Sequence, residues 1–224
     1  MPIRRRLVFL TSVSALGGLF FAPFVLAGMR SSGDSAPPSL LKLAFIFFAA
    51  SLVVAGLCSW AGLRLADRAQ LPMPILRAWD QRAAIPPGAL RTILLPSILA
   101  GLAAGILIGG VVHLLPIPAN PGTLIVRLLT VFFAATVTEV VVHLFLMSGL
   151  IVAFRRPWLA IFLSSVVFVL VFHSGQMPSF WMTALVLGAN FVFSLLTGWM
   201  YFRYGFEAAL LAHAVAHLLV LGWK

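Results

Sequence analysis

Long apolar segments separated by short polar connectors dominate the sequence, and Gly and Pro residues cluster in the connectors. A helix needs about 20 apolar residues to cross a bilayer, so the fifth and seventh of these segments are close to the minimum. The pattern predicts an all-α fold, a polytopic transmembrane helical bundle of about seven to eight helices. The predicted segments are 7–28, 40–63, 92–115, 124–154, 157–173, 180–202 and 206–223.

The most polar stretch, residues 64–91, mixes apolar side chains with five arginines and two aspartates. A short amphipathic helix on the inner membrane surface and a solvated connector both fit this pattern. We expect residues 1–91 to form the N-terminal transmembrane helices together with this connector. Residues 92–224 are expected to form the transmembrane core, within one integral membrane domain overall.

Composition restricts the class of protein further. Hydrophobic residues make up 62% of the chain and charged residues 9%, whereas soluble domains have about 25% charged residues. The net charge of +10 does not indicate nucleic acid, because the cations lie in short connectors, where they set membrane orientation. Cys58 is the only cysteine, which excludes an intramolecular disulfide framework and a cysteine-based metal site.

The distribution of Lys and Arg predicts the orientation. With the N-terminus inside, eleven of these cations lie on the inner side and four on the outer side, as the positive-inside rule requires. The basic N-terminus and first apolar segment resemble a signal peptide, but the segment exceeds the usual 7–15 residues. We therefore expect a retained first helix, a multi-pass protein with a cytoplasmic N-terminus, and membrane lipids as partners.

Glu139 is the only acidic residue between Leu124 and Phe154, in the fourth apolar segment. His143 follows about one helical turn later, so both side chains share one face of a helix. Ionisable residues inside a membrane helix are costly, usually face the protein interior and often mark a functional site. The pair predicts either a general base that activates water or a Glu–His hydrogen bond that joins helices.

Further histidines lie in the later apolar segments. His213 and His217 are spaced i, i+4 and therefore point the same way from the last predicted helix, as metal ligands or paired catalytic groups do. His173 ends the fifth segment, where it is either a membrane-interface residue or part of the same site. We expect these histidines to converge on Glu139.

The order of these groups resembles the CPBP family of intramembrane proteases, the CAAX proteases and bacteriocin-processing enzymes also called Abi. The family motifs are Glu-Glu-x-x-x-Arg, Phe-x-x-x-His and His-x-x-x-Asn. The likeness covers residues 130–221 and includes Arg203-Tyr204-Gly205 before the last helix. It implies a CPBP-type bundle that cleaves membrane-embedded or lipidated peptides.

The first motif is altered in this chain. The family's first glutamate, which is thought to activate water, falls on Thr138, its second glutamate falls on Glu139, and its arginine falls on His143. A shift of one residue turns a side chain by about 100° around an α-helix. Glu139 therefore needs a local adjustment of the helix to reach the water position of the family.

The other two motifs keep their histidines. His173 and His213 match the family, whereas Val169 stands in place of the phenylalanine and His217 in place of the asparagine. The resemblance implies that His173 and His213 position water or stabilise the oxyanion. His217 would then replace the polar contact of the asparagine.

The hypothesis that follows is an intramembrane endopeptidase in which Glu139 is the general base and His143 orients it. Its substrates would be membrane-embedded or lipidated peptides and proteins, with no nucleic acid involved. An alternative from another class is a catalytically inactive scaffold or accessory subunit, bound to other membrane subunits of a larger complex.

A third hypothesis is a metal site, because one carboxylate and four imidazoles suit zinc. The resembled family is thought to work without an obligatory zinc, so we expect a hydrogen-bonded network with no cofactor. The candidate zinc ligands are Glu139, His143, His173, His213 and His217.

Overall fold

A computed structural model describes the backbone over most of the chain. The described residues are 3–31, 38–114, 128–129, 131, 135–172 and 179–221. Within them eight helices can be delimited and no strand is found, which confirms the predicted all-α bundle. The helices are α1 (Arg4–Ser31), α2 (Leu40–Arg68), α3 (Pro74–Gln81), α4 (Ala89–Leu114), α5 (Ala135–Phe154), α6 (Pro157–Phe172), α7 (Phe180–Tyr204) and α8 (Phe206–Leu221).

Four of the described helices, α2, α4, α5 and α7, are long and apolar enough to cross a membrane. The helices α6 and α8 are apolar but shorter. Large hydrophobic side chains stay exposed along the bundle, as Leu41, Phe45 and Leu57 do on α2. A surface of this kind is stable in lipid and costly in water, so the architecture is that of an integral membrane protein.

Local polar groups determine where several helices begin and end. The Ser39 hydroxyl caps α2 by accepting the Lys42 backbone N–H at 3.3 Å, and Ser179 caps α7 by accepting that of Met182 at 3.2 Å. Gly205 separates α7 from α8 with a φ of +106°, a conformation that residues with a Cβ rarely adopt. A Cβ there would also collide with the backbone of a neighbouring connector.

Within the polar stretch, residues 74–81 form the helix α3, and its location on the inner membrane surface stays a prediction. An ionic cluster ties this helix to the N-terminus of the chain. Arg6 is buried, and its guanidinium binds the carboxylates of Asp67 at 3.1 Å and Asp80 at 3.2 Å. Arg77 of α3 also binds Asp67, at 2.9 Å. The start of α1, the end of α2 and α3 therefore lie together at one end of the bundle.

This cluster makes a prediction about topology. In a Cys58→Ser background, cysteines placed at Arg4 and Ala83 should react with an impermeant reagent from the same side of sealed vesicles. A cysteine at Leu114 should react from the other side, because α4 is long enough to cross the hydrocarbon core of about 30 Å. We predict from the charge distribution that positions 4 and 83 lie on the cytoplasmic side. Reaction of these two positions from opposite sides would refute the arrangement.

Glycines allow two helix pairs to approach closely around the centre of the bundle. On α2, a Cβ at Gly62 would lie 2.7 Å from the Leu144 carbonyl oxygen of α5. On α4, a Cβ at Gly101 would lie 2.7 Å from the Ala212 carbonyl oxygen of α8. These contacts leave no space for a methyl group. They position α5 and α8, the two helices that carry most of the candidate site residues.

Candidate active site

The segment of α5 that carries the first motif is not α-helical. Residues Glu139–Met147 form a π-helix, in which the Ser148 backbone N–H bonds the carbonyl of His143, five residues earlier. Such segments are rare and occur frequently at functional sites. The wider turn changes the direction of each side chain relative to a regular helix. It is the kind of local adjustment that the one-residue shift of the glutamate requires.

Glu139 is fully buried and contacts two histidines. Its Oε2 lies 2.7 Å from Nδ1 of His143, and its Oε1 lies 2.7 Å from Nδ1 of His213. The side chains of both histidines are also almost completely buried. A buried carboxylate is stable only when it is hydrogen-bonded, and with Nδ1 protonated each ring donates to one oxygen. The carboxylate therefore connects α5 to α8.

On α8 the two histidines form a stacked pair. The ring centroids of His213 and His217 are 4.9 Å apart, with 20° between the planes. Phe193 of α7 meets His213 in a T-shaped contact at 4.7 Å and His217 at 6.2 Å. The phenylalanine thus fixes the orientation of both rings. It is one of 19 phenylalanines, and the sequence carries no signal that distinguishes it.

His143 is enclosed more tightly than an arginine would allow. Its Nε2 is buried without a hydrogen-bond partner in the part of the chain that the structure describes. On that side the ring faces Gly198 of α7, where a Cβ would lie 3.3 Å from Nε2. The Tyr201 ring lies 6.2 Å from the His143 ring, and the hydroxyls of Tyr201 and Ser148 are 2.7 Å apart. The space holds an imidazole and has little room for the longer guanidinium of the family motif.

His173 lies outside the described residues, so its place in the site stays a prediction. The helix that precedes it, α6, does reach the site. Phe168 and Val169 are buried there in the same cluster as Phe193, with the Phe168 and Phe193 rings 6.3 Å apart. The described part of the chain holds no group of three or more ligating side chains arranged around a metal position. Because His173 belongs to the predicted ligand set, the zinc hypothesis stays a prediction as well.

The residues of this site lie in a part of the chain that matches a known protein family. Residues 120–219 match the family model described as Type II CAAX prenyl endopeptidase Rce1-like. We call residues 120–219, which are similar to this family, the Rce1-like region. The Rce1-like region covers just under half of the chain and contains Glu139, His143, His173, His213 and His217. It confirms the resemblance predicted from the three motifs.

The Rce1-like match supports a CAAX-type intramembrane protease as the general activity of the protein. It begins at residue 120, well after the start of the core predicted at residue 92, so α1 to α4 lie outside it. No curated protein matches the chain, and no solved structure matches it.

Proposed function

We propose that the protein hydrolyses peptide bonds of membrane-embedded or lipidated substrates, with Glu139 as the base that activates water. The observation that carries this proposal is the contact of 2.7 Å between the Glu139 carboxylate and His213, inside the Rce1-like region. A carboxylate and an imidazole on facing helices can supply two functions that assist amide hydrolysis. One accepts a proton from water, and the other stabilises the charge that develops.

We propose a role for each nitrogen of His213. Nδ1 donates to Glu139, which leaves Nε2 to accept a hydrogen from the attacking water or, once protonated, to donate to the oxyanion. The water oxygen would bond to the carbonyl carbon while its proton passes to Glu139. When the C–N bond breaks, that proton would pass to the leaving amine. Each carboxylate oxygen can accept a second hydrogen bond, so both histidine contacts can persist during the reaction.

The other two histidines would position this pair. His143 holds Oε2 of Glu139, so the carboxylate cannot rotate freely. His217 is stacked on His213, so it limits the movement of that ring. We infer that His143 and His217 act through their neighbours rather than on the substrate.

An apolar groove beside α8 suits a lipidated or membrane-embedded substrate. It has a volume of about 350 Å³ and extends along α8 from Phe206 to Ala214, the neighbour of His213. Phe9 of α1 and Trp79 of α3 form its opposite wall, and both are partly exposed to the lipid. An apolar chain in this groove would bring the attached peptide close to the site. Glu139 itself has no exposure, so a peptide bond reaches it only if neighbouring parts of the protein move apart.

The complete burial of Glu139 also favours a second candidate function, that of a catalytically inactive scaffold. Both oxygens of Glu139 are already hydrogen-bonded, and the site is closed on every described side. An arrangement of this kind also serves to join α5 and α8 without any reaction. The two functions differ in one measurable respect, which is cleavage of a peptide.

The test uses the full chain in proteoliposomes with a farnesylated CAAX peptide and the same peptide without the farnesyl group. We expect cleavage of the first and little cleavage of the second. A Thr138→Glu/His217→Asn variant restores two family residues and should cleave at least as fast as the wild type. An inert wild type with an active restored variant would show that the protein is a scaffold that lost its chemistry. Two inert proteins would contradict the protease proposal.

A further inference from the structure

A second cavity, remote from the Glu139 site, lies where α2, α5 and α6 meet. Its volume is about 290 Å³, and its lining combines two arginine side chains with apolar ones. Arg68 is the last residue of α2, and Arg155 follows the last residue of α5. The lining residues are Arg68, Ala69, Ile151, Val152, Arg155 and Pro157.

The two arginines have no partner of their own. The described residues provide neither Arg68 nor Arg155 with an ion pair or a side-chain hydrogen bond. The nearest carboxylate in sequence, Asp67, binds Arg6 and Arg77 instead. Two unpaired guanidinium groups on one cavity attract an anion, and their planar geometry suits phosphate oxygens.

A third positive feature comes from the start of α6. Pro157 is its first residue, and its first turn contains no acidic side chain. Pro157 itself has no N–H, but the backbone N–H groups of the next two residues are without helical partners and carry a partial positive charge. Arg155 adopts a left-handed conformation, with φ of 55°, which ends α5 and turns the chain toward α6. The turn thus brings the helix start and both guanidinium groups to the same cavity.

The position of the cavity, at the ends of two apolar helices, indicates which kind of anion it would bind. Arg68 and Arg155 mark the ends of two helices that are long and apolar enough to cross the membrane. The ends of such helices lie near the membrane surface, which would place the cavity at the level of the lipid phosphates. Ile151 and Val152 form an apolar wall on the side of the hydrocarbon core. Basic pockets between membrane helices at this depth bind anionic head groups. We propose that Arg68 and Arg155 bind the phosphate of an anionic phospholipid.

The experiment measures how much phosphatidylglycerol the full chain retains, by native mass spectrometry after extraction from vesicles of phosphatidylglycerol and phosphatidylcholine. If each of the two cavity arginines that contact the phosphate strengthens its binding about fivefold, Arg68→Gln/Arg155→Gln should lower retention about 25-fold. The matched control is Arg4→Gln/Arg91→Gln, which removes two exposed arginines that do not line the cavity. It should retain the lipid as the wild type does.

A lysine variant and a competing inorganic phosphate distinguish a lipid-phosphate site from general surface charge and from a free-anion site. Arg68→Lys/Arg155→Lys keeps the charge but loses the planar geometry, so we expect retention between the wild type and the glutamine variant. Excess inorganic phosphate should not displace the lipid from the wild type. Equal losses in the glutamine variant and its control would overturn the proposal, because a general surface charge would then explain binding. Displacement by inorganic phosphate would overturn it in favour of a free anion as the ligand.

Discussion

Replacing His213 with alanine should slow cleavage of the farnesylated peptide by about 10²–10⁴-fold, the usual contribution of one acid–base group. The ring is in direct contact with Glu139, and its second nitrogen is the one available to the water or the oxyanion. The measurement is the cleavage rate in proteoliposomes. The matched control is His113→Ala, at the end of α4, which removes an exposed histidine and should leave the rate close to that of the wild type.

The alanine variant also leaves one oxygen of the buried Glu139 without a partner, which costs about 1–3 kcal/mol. A second variant, His213→Asn, separates stability from chemistry. Its amide can donate to Glu139 as Nδ1 does, so it should recover most of the lost stability. It has no second ring nitrogen and should stay as slow as the alanine variant. An asparagine variant that cleaves at the rate of the wild type would show that His213 is only a structural link.

Gly101→Ala in α4 should destabilise the bundle through a direct clash with α8. The added Cβ would lie 2.7 Å from the Ala212 carbonyl oxygen and 2.6 Å from Cβ of Val215, both on α8. Since a packed backbone cannot move away without cost, we expect a loss of about 1–3 kcal/mol. The displaced segment carries His213, so cleavage should fall with stability.

Gly110→Ala is the control for this prediction, because it makes the same change in the same helix. Nothing lies within 4 Å of a Cβ at Gly110, so its stability should stay within about 1 kcal/mol of the wild type. Thermal unfolding in detergent micelles compares the two variants. A Gly101→Ala protein that is as stable as the control would mean that α4 and α8 are not in close contact.

The membrane bundle was predictable from sequence because burial in lipid requires long apolar segments whatever the tertiary packing. The predicted segments 40–63 and 180–202 correspond to α2 and α7, with boundaries that differ by a few residues. The proximity of Glu139 and His213 was also expected, because isolated ionisable side chains in apolar helices turn toward each other. The predicted domain boundary at residues 91 and 92 stays a prediction.

The details of the site depend on contacts that a single sequence does not display. Nothing in the sequence of residues 139–147 distinguishes a π-helix from an α-helix. Glu207 is a second example. Its carboxylate accepts the Leu76 backbone N–H at 2.8 Å and caps α3 from another helix. Because Glu207 and Leu76 are 131 residues apart in the sequence, no local sequence pattern predicts this cap.

The central claim is that the Glu139 carboxylate takes the proton from water. Its most direct test is the single-turnover cleavage rate of the farnesylated peptide by the wild type and by Glu139→Gln. The amide keeps the shape of the side chain and one oxygen acceptor but cannot accept the proton. The account predicts a folded variant whose rate is lower by about 10²–10⁴-fold. Equal rates for the two proteins would contradict it.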